Sequence, residues 1–157
     1  MNFVVIGTDH RMQNSDLGFE GLLRGLSQQQ FLSPLTDIYE EYHENIGVSS
    51  VAKRLAKENK LRWANLDMSI QEKHEAGILA EQLNRPGMFQ ENVSYRLPSD
   101  QVREAAWVEK LSKADGGTAL VICGYLHFES VVQMLRAKGY GVDQRVYLET
   151  VPTIKSA

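Results

Sequence analysis

The 157-residue chain carries 43% hydrophobic residues, 24% charged residues and a net charge of −3. That is enough chain for one domain with a real hydrophobic core, spanning 1–157. The negative balance speaks against duplex nucleic acid, which favours a basic surface, and no apolar run reaches the ~18 residues that cross a bilayer, so no membrane partner is expected.

The opening "MNFVVIGTDH" has no cationic stretch ahead of its apolar run and does not read as a signal peptide. A lone Cys123 rules out an internal disulfide and fits a cytoplasmic location; inside "LVIC" it reads as a small buried hydrophobe.

"FVVI" at 3–6 predicts a buried strand closed by Gly7. Phe19, Leu22, Leu23 and Leu26 form a helical stripe that Gly21 and Gly25 weaken. Pro34 closes that element, and "TDIYEEYH" follows as a second strand. Ser49 or Ser50 caps a helix with Val51 and Leu55 on one face, and "LRWANLD" is a short third strand ending at Asp67.

Residues 69–98 are polar and weakly patterned, with a helix over "HEAGILAEQL" and a turn at "NRPG". The clearest helix is "SDQVREAAWVEKLSKADGG", with Ser99 as N-cap and Val102, Ala106 and Val108 or Leu111 facing inward. Strand "TALVIC", helix "FESVVQMLRAKG" and strand "YGVDQRVYLE" follow, then a loose tail "TVPTIKSA". Alternating strands and helices predict an α/β fold: one mostly parallel or mixed sheet with helices on both faces.

Two strands end alike, in Gly7-Thr8-Asp9-His10 and Gly124-Tyr125-Leu126-His127. In an open α/β sheet, ligands collect beyond the carboxyl ends of the strands. A glycine there lets the chain turn sharply, so His10 and His127 are expected to fold over the same edge. Glu40 and Glu41 end the second strand; alternation aims only one of them at the histidines, and Glu40 is favoured.

Imidazole beside carboxylate suits a divalent cation such as Mn²⁺, or a general acid–base pair. The expected metal set is therefore His10, His127 and Glu40, with Asp9, Asp67 or Glu104 as proton shuttle. Arg103 and Glu104 reach that edge if their helix begins there, and otherwise form a solvated first turn. His43 follows the Glu pair and could join the same edge, but its neighbours Glu41 and Glu44 suggest a solvated loop; His74 reads as part of an exposed charged helix face. No phosphate-binding glycine loop, no G-x-S-x-G elbow and no zinc-finger spacing occurs.

"VVIGTDH", "DIYEEYHE" and "ALVICGYLHFESVVQMLRAKGYGV" together resemble the Tiki/TraB group, itself similar to erythromycin esterases and ChaN-like haem-binding proteins. The resemblance covers about 35 residues at the two ends. It implies a metal-dependent hydrolase of peptide or ester bonds, with roles for Gly7, His10, Glu40 or Glu41, Gly124 and His127. The alternative it implies is a protein that binds a small molecule or haem without turnover, for which Tyr39, Tyr42, Tyr125 and Phe128 would suit a flat ligand.

Overall fold

The computed structural model describes residues 1–43, 48–86 and 92–157. Glu44 and Gly87, the last residue of the "NRPG" turn, lie outside the described residues. The main sheet has five strands: β1 (Asn2–Thr8), β2 (Leu35–Glu40), β3 (Arg62–Asn65), β5 (Thr118–Gly124) and β6 (Gly141–Tyr147). Their spatial order is β3-β2-β5-β1-β6, and every pairing is parallel.

The apolar runs explain the layers. In β1, Phe3 and Val5 enter one core while Val4 and Ile6 enter the other; in β5, Ala119, Val121 and Cys123 oppose Leu120 and Ile122 in the same way. Both faces must therefore be covered. Helices α1 (Met12–Ser15), α2 (Leu17–Gln28) and α3 (Val51–Glu58) cover one, capped by the Asp16 carboxylate on α2 and the Ser50 hydroxyl on α3. Helices α6 (Pro98–Leu111) and α7 (Tyr125–Ala137) cover the other.

Four expectations are corrected. The segment read as one helix over "HEAGILAEQL" is two, α4 (Ile70–Glu75) and α5 (Ile78–Leu83), broken at Gly77, whose φ of +71° favours glycine. The tail is not loose: β7 (Thr153–Ser156) pairs in parallel with β4 (Val93–Arg96) as a separate two-stranded sheet. In α6 the N-cap is Leu97, with Pro98 opening the helix, not Ser99. Its inward stripe is Asp100, Arg103, Glu104, Trp107, Val108 and Leu111, while Val102 is 50% exposed. Trp107 and Leu111 set the phase by packing on the sheet, and the same face one turn earlier overhangs the carboxyl edge, where carboxylates and arginines find partners.

The two strand-exit glycines act through space rather than backbone freedom, since neither has a positive φ. A Cβ on Gly7 would lie 2.7 Å from Cγ of the buried Phe128. Gly7→Ala is expected to cost about 1–3 kcal/mol of stability by overpacking. Chemical denaturation checks this, and an unchanged midpoint would refute the steric account.

Candidate functional site

Three neighbouring strands, β2, β5 and β1, deliver the site at their carboxyl ends. The chain leaves β1 and β2 toward the α2–α3 face and leaves β5, between them, toward the α7 face. Such reversals open the crevice where α/β proteins bind ligands. A cleft of about 1080 Å³ lies there, with His10, Glu41, His43, Arg103 and His127 among its lining residues.

The two acids of the second strand part as the pleat demands. Glu40 falls on the face of Ile38 and is buried, accepting hydrogen bonds from Gln13 (3.0 Å), Ser50 (2.6 Å) and Trp63 (2.9 Å). Burial pushes its carboxyl above the ordinary range, and those three donors pull the other way. Glu41 is the acid that meets the histidines. One oxygen lies 3.6 Å from His10 Nε2, the other 3.8 Å from His127 Nε2. The first also accepts the Gly124 N–H at 2.8 Å, the second Arg103 at 2.7 Å. Burial alone would raise the Glu41 carboxyl, but His10, His127, Arg103 and the Gly124 amide together hold it well below the usual range. A Cβ on Gly124 would sit 3.1 Å from His10 Nε2 and 3.3 Å from Glu41, so this glycine makes room for the pair.

The two histidines are not equivalent. His10 lies in the turn before α1 with its side chain 34% exposed, whereas His127 is in the first turn of α7 at 4%. Around His127 both ring nitrogens are occupied. Arg103 can only donate, so His127 Nε2 accepts from it at 3.2 Å, and Nδ1–H therefore donates to Glu104 at 2.8 Å. Trp107 packs edge-on against the ring.

Arg103 is the hub of this interior. It binds Glu41, Asp67 and His127, and Asp100 lies 3.8 Å away. Asp67 also takes Trp107 and Lys73; Asp100 takes both arms of Arg85; Glu104 takes both arms of Arg96 and the Ser130 hydroxyl. Four carboxylates thus meet four cations, and the network closes its own charge.

For Asp67, Asp100 and Glu104, burial raises the carboxyl, but the arginine, lysine and hydrogen-bond partners outweigh it and leave all three below their ordinary values. A carboxyl depressed in the folded state contributes stability that is complete above its unfolded value and lost as pH falls through the folded one. Glu40, raised, acts in the opposite sense. With Glu41 on the depressed side too, the four depressed carboxylates outnumber Glu40, and the melting temperature is expected to fall steeply below about pH 4. A flat melting profile down to pH 2 would show that the network adds nothing.

Free donor capacity therefore sits at the outer end. Among the described residues, His10, Glu41 and His43 each offer one donor atom, all within 4.8 Å of one another. The His10 and His43 rings meet edge to face at 4.4 Å, and burial first, then His10, pushes the His43 imidazole below its ordinary value. Two imidazoles and a carboxylate suit a first-row transition ion better than Mg²⁺ or Ca²⁺. This is not the expected trio of His10, His127 and Glu40, since Glu40 faces the other core and His127 has no free lone pair.

Asp9 stays at the cleft rim, held by both arms of the exposed Arg11. His74 is exposed on α4, as its charged surroundings suggest. Arg103 and Glu104 do reach the edge, from the second turn of α6. Sequence reasoning missed Gln13, Arg85, Arg96 and Asp100. Only the i, i+3, i+4 spacing of Asp100, Arg103, Glu104 and Trp107 could have exposed part of that set. No protein-family model, no curated protein and no solved structure matches the chain.

Proposed function

We propose that this chain is a hydrolase of peptide or ester bonds, working in the cleft at the carboxyl edge with a divalent transition ion held by His10, Glu41 and His43. The observation that carries this reading is the convergence of those three donors at the point where neighbouring strand connections diverge. A bound ion supplies Lewis acidity, lowering the pKa of water and polarising a carbonyl oxygen.

The chain's own residues do the rest. Arg103 and the Gly124 amide keep Glu41 ionised and fix its oxygens. Gly124 leaves space over the pair. Of the three acids expected as proton shuttle, Asp67 and Glu104 are buried and fully bonded, and Asp9, at the rim, is the one in reach of solvent, although its pairing with Arg11 holds its carboxyl below the ordinary range and disfavours its protonated form. The Tiki/TraB resemblance of the two Gly-x-x-His segments points to the same chemistry.

The test is elemental analysis of protein stripped with EDTA and reloaded with Mn²⁺ or Zn²⁺, followed by assays on peptide and nitrophenyl-ester panels. Uptake of one ion with ion-dependent hydrolysis is expected. Uptake without turnover on any panel would replace this reading with the non-catalytic small-molecule or haem-binding one. No uptake and no hydrolysis would end it.

A further inference from the structure

We infer that Gln13 is the positioning residue that presents Nε2 of His10 to the cleft, and that the buried Glu40 is its anchor. The inference rests on the proposed role of His10 but can be tested apart from it. Gln13 is buried at the start of α1, with its side chain between the two strand ends. Its amide nitrogen lies 3.0 Å from Glu40 Oε1 and 3.2 Å from the Glu41 carbonyl oxygen. The Glu41 carbonyl can only accept, and the Glu40 carboxylate already accepts from Ser50 and Trp63 on its other oxygen.

The NH₂ of Gln13 is thereby committed, and turning the amide over would set its oxygen against two acceptors. The Gln13 oxygen is left facing His10 Nδ1 at 2.6 Å. An amide oxygen cannot donate, so Nδ1 must carry the hydrogen. In the neutral ring Nε2 is then bare, and it is the nitrogen 3.6 Å from Glu41. A free imidazole side chain prefers the opposite tautomer, with hydrogen on Nε2, so the arrangement works against the intrinsic preference.

This accounts for Glu40, a carboxylate on the opposite face from the cleft that is surrounded by three donors. It acts on His10 through Gln13, as carboxylates and carbonyls behind ligating histidines commonly do. The Gly-x-x-His unit that ends β5 reaches the same Nδ1–H tautomer through Glu104, but there Arg103 consumes the lone pair on Nε2. The two like-spelled motifs thus end in one presented imidazole and one sealed imidazole.

Long-range ¹⁵N–¹H correlation spectra of the labelled protein at about pH 8.5, well above an ordinary imidazole pKa of ~6.5, read the tautomers directly. Wild type is expected to show His10 with hydrogen on Nδ1. Gln13→Leu should move His10 toward the Nε2–H form and weaken Zn²⁺ binding about 10- to 100-fold, while His127 stays unchanged. If Gln13→Leu does not fold, Glu40→Gln serves: it keeps both strand ends but disturbs the acceptor of the Gln13 amide, and should reduce the Nδ1–H population of His10. A wild-type His10 in the Nε2–H form overturns the inference. So does an unaltered His10 tautomer in Gln13→Leu, or in Glu40→Gln where that variant has to stand in. The expected tautomers in a protein that takes up no Zn²⁺ would uphold the role of Gln13 and defeat the hydrolase reading instead.

Discussion

Replacing Arg103 by leucine is expected to lower the free energy of unfolding by about 3–5 kcal/mol, the range for stripping one partner from a buried ion pair. The guanidinium is only 4% exposed, and its loss strips Glu41 and Asp67, both inside the protein, of the arginine that each of them binds. The intact network confers much less than this, because desolvation of the charged groups offsets most of their attraction. Arg103→Lys should fall between wild type and leucine, since one ammonium cannot reach Glu41, Asp67 and His127 in the same planar arrangement. Urea denaturation of the three proteins at pH 7 gives the comparison. A leucine variant within ~0.5 kcal/mol of wild type would mean that the network is dispensable.

Glu41→Gln is expected to weaken binding of Mn²⁺ or Zn²⁺ by more than about a hundredfold, beyond the ~10- to 100-fold typical of residues that only support a ligand. The substitution removes the single anionic donor of the trio and leaves two imidazoles, which cannot neutralise a divalent charge. Glu40→Gln, acting at one remove, should stay within the smaller range. Isothermal titration of both variants against wild type decides the matter. Equal and mild losses would take both carboxylates out of the site, and a larger loss from Glu40→Gln would reverse their roles.

The sheet and its two covered faces were legible because "FVVI" and "ALVIC" are apolar on consecutive residues, which only a doubly buried strand requires. That His10 and His127 meet at the carboxyl edge, where the candidate site lies, was legible in the two strand-exit motifs. Which of Glu40 and Glu41 faces the cleft depended on where β2 ends. One residue of register exchanges the two, and the strand stops at Glu40. The α6 stripe was misread because apolar residues are the usual signal of an inward face, and here half of that face is charged. An inward Arg103 becomes reasonable only once Glu41, Asp67 and His127 are known to lie opposite, and those partners come from distant parts of the chain. Gln13 carried no signal at all, since a glutamine in "HRMQNSD" looks like any other loop amide.

β5 lies between β1 and β2, although it is made long after both. On a ribosome, the first three strands emerge with a gap one strand wide at the centre of the future sheet. Glu41 then waits without Gly124 or Arg103, and Ile6 and Ile38 have no strand between them to pack against. Neither half of the chain holds a complete core, and although His10, Glu41 and His43 all emerge early, the Arg103 and Gly124 groups that fix Glu41 come late, so a nascent fragment gains little by folding early. Closure over long sequence separations slows folding. The protein is therefore expected to acquire its sheet and the cleft at its carboxyl edge together and late, in one step that follows delivery of residues 118–127.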